Sequence, residues 1–216
     1  MGFSLSGQAH AATGLSPAKS VAPDVLDSWL TIDKNNRITL YVGKVDLGTG
    51  TKTALTQIAA DELDVAFGRI DMVMGDTGTT PDQWITGAAL TISQGGSELR
   101  IAAANARQAL LQRASKTWGV PVTELVVNDG VIAHEASRQT ATYGSLIGTG
   151  FEVKVDPKVV VKKHTDYKLV GKSVPRVDIP GKVTGEHTYV HDLRMAGHAA
   201  RPGDPTHPDW RHAAGL

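Results

Sequence analysis

KVDLGTGTKTALTQIAADEL, residues 44–63, passes from the end of a β-branched run through a glycine turn into a helix. Gly48-Thr49-Gly50 breaks the extended pattern, and from Thr51 to Leu63 the apolar positions Leu55, Ile58, Ala59 and Leu63 fall on one helical stripe. On the N-terminal side, Trp29 to Ile32 and Arg37 to Val42 alternate in polarity around Asp33-Lys34-Asn35-Asn36, the pattern of a hairpin with an Asn-rich turn. On the C-terminal side, Arg69 to Met74 supplies another strand. Gly75 to Pro81 follows as a polar turn in which Asp76-Thr77 suits an Asx-type bend.

Further out, Leu99, Ala102, Ala103, Ala106, Leu110 and Ala114 recur at helical spacing and predict a helix over Ser97 to Trp118, stopped by Gly119 and Pro121. Leu125 to Val127 and Val131 to Ala133 flank Asn128-Asp129-Gly130, a second hairpin, and Thr142 to Ile147 adds a helical turn. The fold class is therefore α+β, a small mixed sheet with two main helices over residues 29–150. Residues 151–178 are more basic, β-branched and broken by Pro157 and Pro175, and predict an extended connector. A new unit begins over 179–196, with a strand at His187 to Val190. The Pro-, Gly- and His-rich stretch 197–216 has no periodicity.

Lys plus Arg and Asp plus Glu are both 22, so no net field steers the chain toward nucleic acid or a charged membrane. Without cysteine there is no disulfide, thiolate metal site or cysteine nucleophile. His187 and His191 lie four apart, but on a strand they would be about 13 Å apart, too far to share a metal. No catalytic or metal-ligating residue is assigned, and no apolar run is long enough to span a membrane. Residues 1–28 read as leader and linker. Ala9-His10-Ala11 matches a signal-peptidase site without the charged region before it. Taken as the end of an export signal, it places the protein in the periplasm; taken as a plain Gly/Ser/Ala-rich N-terminus, in the cytoplasm.

Two segments suit a ligand. Gly48-Thr49-Gly50-Thr51 opens a helix whose free N–H groups and positive end favour an anion. Lys52 follows Thr51 rather than glycine, so a Walker loop is not formed, and Thr53 stands where a dinucleotide fingerprint wants its third glycine. A tight strand-to-helix connection with Thr49 or Thr51 as N-cap explains the same residues. Thr86 to Gly96 is a second small-residue segment; Gly87, Ala88 and Thr91 would face the same ligand, with Thr91 and Ser93 as donors, or simply permit close packing. Adjacent pairs His134-Glu135 and His191-Asp192 diverge on a strand and carry no acid–base role.

Taken in order, Lys44–Gln57, Ile58–Asp82, Thr86–Arg107, Ala141–Gly148 and Tyr167–Met195 resemble successive landmarks of the molybdopterin-binding large subunits of the xanthine dehydrogenase and aldehyde oxidase family, in the branch typified by isoquinoline 1-oxidoreductase. The resemblance implies a molybdenum hydroxylase large subunit that oxidises aldehydes or N-heterocycles with water-derived oxygen. It implies a molybdopterin cytosine dinucleotide cofactor, a partner subunit carrying 2Fe-2S clusters and, further along the electron path, a cytochrome c subunit. Carried over by position, Gly48, Thr49, Gly50 and Thr51 border the cofactor, and Gly87, Ala88 and Thr91 approach its pterin or phosphate side. The family has glutamine where Thr49 stands, so that side-chain contact is not reproduced.

The family's Gly-Gly-Gly-Phe-Gly stretch and glutamate base are not in this sequence. Residues 179–196 resemble the start of an α/β hammerhead domain, and the resemblance lapses near His198, as a frameshift or truncation would produce. The expectation is a chain inactive alone that does not retain the cofactor. The alternative is a non-catalytic assembly module that binds the iron–sulfur subunit or free cofactor.

Overall fold

The computed structural model describes residues 21–194, and its contacts divide the chain into two units, 1–177 and 178–216. In the first unit, β1 (Leu30–Ile32) pairs antiparallel with β2 (Ile38–Val42), and β2 pairs parallel with β3 (Ile70–Met74). The helix α1 (Thr51–Leu63) connects β2 to β3, since parallel neighbours need such a crossover. The mixed sheet predicted from the alternating runs is thus present.

Ile38, Leu40 and Val42 are buried together on one face of β2, as period-two alternation requires. Against them lie Leu55, Ala59 and Leu63 of α1 and the stripe from Leu99 to Ala114 of α2 (Ser97–Trp118). The alanines of that stripe let the two helices pack closely. Ile58 is only partly buried.

A second, antiparallel sheet comprises β4 (Leu125–Asn128), β5 (Val131–His134) and β6 (Gln139–Thr142). The β4–β5 hairpin was expected. The polar β6, QTAT, offers no apolar alternation and is held by its ladder to β5. The short α3 (Tyr143–Leu146) follows, capped by the Thr142 hydroxyl accepting from the Ser145 N–H.

Asn36 joins the sheets, donating to the Gly130 carbonyl while its Oδ1 accepts from the Gly144 N–H. Gly144 is required there, because a Cβ would lie 2.3 Å from the Asp33 carbonyl oxygen. Buried Tyr143 donates to the Leu63 carbonyl, and desolvation pushes its phenol well above the usual range.

Arg69 binds Asp129 through two hydrogen bonds of 2.7 Å, while the Ala66 N–H donates to the same carboxylate. The Arg69 hydrogen bond, helped by the Ala66 N–H, holds the Asp129 carboxyl below the ordinary aspartate range. A depressed folded-state pKa contributes stability that is present above the unfolded value and is lost as pH falls through the folded one. Urea unfolding should therefore show Asp129→Asn less stable than the parent at pH 7, with the gap closing below roughly pH 4. An unchanged gap at pH 2 would contradict this assignment.

Residues 151–177, within the stretch 151–178 expected as an extended connector, hold the short turn His164–Asp166 and a bridge of Lys154 to Val25, and run over both helices. Asp27 accepts from the N–H groups of Phe151 and Glu152. Arg113 donates to the carbonyls of Leu146, Ile147, Gly150 and Phe151. Asn105 exchanges hydrogen bonds with the Asp156 backbone. Asp61 gathers the N–H groups of Lys168, Leu169 and Val170, and Gln57 donates to the carbonyls of Leu169 and Lys172.

In the second unit, α4 (Ile179–Thr184) ends at Gly185 with φ 78. The strand expected over His187 to Val190 is not formed: residues 186–189 have no ladder, and Val190–Asp192 is a 3-10 turn. No neighbouring strand is available among the described residues 178–194 to satisfy its backbone groups. Residues 1–20 and the residues from Met195 onward lie outside the described residues, whereas of the stretch 1–28 expected as leader and linker, residues 21–28 are described, with a 3-10 turn at Leu26–Ser28 and Leu26 buried.

Candidate functional site

Beyond Val42 the chain leaves the sheet, and Asp46 organises the turn into α1. Its Oδ1 accepts from the N–H groups of Gly48 and Gly50 at 2.9 and 3.1 Å, and its Oδ2 from that of Lys52 at 3.0 Å. Gly50 occupies the cap position at φ 79 with no side-chain cap, which corrects the expectation that Thr49 or Thr51 caps the helix. Of the free N–H groups that open α1, the Asp46 carboxylate takes that of Lys52.

The second segment is fixed from behind. Lys44 is fully buried and its Nζ donates to the carbonyls of Gln83 and Ile85 at 2.5 and 2.7 Å. Gln83 accepts from the Gly43 N–H and donates to the Gly95 carbonyl and to Glu98. The Thr86 hydroxyl accepts from the Val45 N–H. Ala88 and Ala89 are held at φ 49 and 58, a left-handed conformation costly for residues with a Cβ. The small-residue segment is π-helical over Thr91–Gly96 and runs into α2. Within it Ser93, expected to donate to a ligand, donates to the Ala89 carbonyl at 3.3 Å.

The two segments meet around a cleft of about 310 Å³. Thr49 and Thr51 line it from one side and Gly87, Ala88 and Thr91 from the other, with Val45, Leu47 and Ile92 as apolar walls. Gly48 and Gly50 shape the turn, at φ 94 and 79, and do not line the cleft. The Thr51 hydroxyl is buried without a hydrogen-bond partner, an orphaned polar atom in the wall of a small-residue cleft. That arrangement fits one part of a polar, flat ligand. At the low end of the size range for small-molecule sites, the cleft holds only a portion of a large cofactor.

A family model described as the molybdopterin cofactor-binding domain matches residues 3–189. The chain belongs to the molybdopterin cofactor-binding domain family. It is 42% identical over 184 residues to the B component of nicotinate dehydrogenase from Pseudomonas putida, covering 82% of this chain and 15% of the relative. It is 29% identical over 219 residues to the beta component of isoquinoline 1-oxidoreductase from Brevundimonas diminuta, covering 82% and 28%. The chain thus spans less than a third of either relative, and the family is the one its motifs resemble. Among solved structures, CO dehydrogenase from Oligotropha carboxidovorans aligns with 55% of this chain and 15% of its own at 20% identity and TM-score 0.48.

Two supports of this molybdopterin cofactor-binding domain escaped the sequence reading, Asp46 and Lys44. Lys44 was within reach: Ile38, Leu40, Val42 and Lys44 continue one period-two series, which puts the lysine on the buried face. Asp46 carried no periodic signal. Among the described residues no cluster of histidine and acidic side chains suits a metal ion, and no helix is long and apolar enough to cross a membrane.

Proposed function

We propose that this chain forms one wall of the cofactor site in the large subunit of a molybdenum hydroxylase acting on aldehydes or N-heterocycles, and that alone it catalyses nothing. The observation that carries the reading is the convergence of residues 49–51 and 86–92 on one cleft with the unpartnered Thr51 hydroxyl in its wall. Thr49, Thr51 and Thr91 would hold the pterin or phosphate side of a molybdopterin cytosine dinucleotide, with Gly87 and Ala88 allowing close approach. When bound, such a cofactor supplies the two-electron oxidation of substrate. The residues of this chain orient it and keep water from one side. Electrons would pass to a 2Fe-2S subunit and on to a cytochrome c subunit in the periplasm.

The test is a titration of the ¹⁵N-labelled chain with a soluble pterin, combined with molybdenum analysis and a dye-coupled aldehyde assay. Weak shifts confined to the amides of residues 45–51 and 86–92, no stoichiometric molybdenum and no turnover are expected. Shifts elsewhere, or aldehyde oxidation by the chain alone, would overturn the reading. Leu47 is 72% exposed and Ile85 53% beside the cleft, and these favour a second reading as an assembly module for the iron–sulfur subunit. A pull-down with that subunit separates the two, since only the module must bind it.

A further inference from the structure

Thr53, Gln57 and Asp61 follow one another at helical spacing along α1, so they form one polar stripe. All three bind the backbone of the stretch 168–177. The Asp61 carboxylate accepts from the N–H groups of Lys168, Leu169 and Val170, Gln57 donates to the carbonyls of Leu169 and Lys172, and the Thr53 hydroxyl accepts from the Val177 N–H. The stretch therefore runs antiparallel to α1 and arrives at the turn that opens the helix. Because these bonds reach main chain, they hold the stretch whatever side chains it carries.

The side chain that lands on the turn is Arg176. Its Nη2 donates to the Gly48 carbonyl at 3.0 Å. It lies so close to Gly50 that a Cβ there would sit 3.0 Å from Nε, 3.1 Å from Cζ and 3.2 Å from Cδ. Gly50 is thus constrained twice, by φ 79 and by the guanidinium packed against it. Asp46 takes the N–H groups of Gly48 and Gly50 while Arg176 takes the Gly48 carbonyl, so charged side chains from two separate segments grip one turn. Thr49 stands between the two glycines and Thr51 directly after them, and both line the cleft. A planar head can lie against a glycine and bond a nearby carbonyl at once, which a compact ammonium does less well.

We propose that Arg176 is a positioning residue for the cofactor site: it fixes the Gly48–Gly50 turn so that Thr49 and Thr51 face the cleft before a ligand arrives. The inference rests on the reading of that cleft as a cofactor wall. A turn ordered in advance spares the ligand the cost of ordering it.

The test compares the full chain with Arg176→Ala and Arg176→Lys by ¹⁵N NMR, first alone and then with the soluble pterin. In ligand-free Arg176→Ala the amides of residues 48–51 should move and their heteronuclear NOE should fall, while Leu169 and Val170 keep their signals and the urea midpoint is unchanged. Pterin affinity should drop about three- to tenfold, as expected when one or two side chains must be ordered on binding. Arg176→Lys keeps the charge and a donor but not the plane, and should recover only part of that affinity. A residue that merely braced the fold would instead shift the whole stretch 168–177 together with the urea midpoint, and that result overturns the proposal. Unmoved turn amides or full pterin affinity in Arg176→Ala would sink the Arg176 assignment while the cleft reading stands. Absence of pterin shifts in the parent chain would remove the cleft reading, and the positioning role with it.

Discussion

Glu62→Ala will destabilise the first unit by about 3–5 kcal/mol in urea or thermal unfolding. The Glu62 side chain is 1% exposed and lies 2.8 Å from the Arg100 guanidinium, itself 29% exposed. The Lys162 N–H donates to the same carboxylate, and Arg100 also donates to the Lys162 carbonyl. Alanine leaves the guanidinium facing a void and one buried N–H without an acceptor, so the cost is the unpaired desolvation of both. Glu62→Gln keeps an acceptor and should lose less. Removing Arg100 as well should cost less than the sum of the single losses, as expected for one coupled pair. Because Glu62 holds the segment around Lys162 to α1, protease cleavage there should rise in parallel. A loss under about 1 kcal/mol would mean that water replaces the carboxylate and the pair contributes no more than a surface one.

Lys44→Met should cost about 2–4 kcal/mol and remove the threonine-lined cleft. Methionine fills much of the lysine volume, so the main loss is the charged donor to the Gln83 and Ile85 carbonyls, each worth roughly 1–3 kcal/mol when stranded. Those two carbonyls bracket Trp84 and lead into Gly87 and Ala88, so a freed segment would relax the left-handed residues that shape the cleft. The ¹⁵N spectrum of the variant should show the largest changes over residues 83–92 while the β4–β5–β6 sheet keeps its signals. Changes confined to the immediate neighbours of residue 44 would show that the segment is held by other contacts and that Lys44 is not its anchor.

Both effects rest on residues that local patterns describe poorly. The stripe Leu55, Ala59, Leu63 and the alternation Ile38, Leu40, Val42 are legible because burial on one face imposes a period on neighbouring positions. Gly48 and Gly50 are legible as a turn, and the two small-residue segments as breaks ahead of helices. Their meeting at a single cleft follows from the parallel pairing of β2 with β3 and from Lys44, not from either segment alone. β6 escaped because an edge strand of polar residues is held by its neighbour's backbone, which leaves no mark on its own side chains.

By itself the sequence determined the α+β class, the bounds of α1 and α2, both hairpins and the family, each encoded in local periodicity or in motifs kept in order. Only the tertiary structure decided which polar groups pair. Asp27 caps residues 124 and 125 positions away, and Asn36 reaches across 94 to join the sheets. It also decided that Asp46 accepts from the N–H groups of Gly48, Gly50 and Lys52 where the turn enters α1. The physical reason is that hydrophobic burial is non-directional and needs only the right face. A buried hydrogen bond needs one donor and one acceptor brought within about 3 Å by the whole fold.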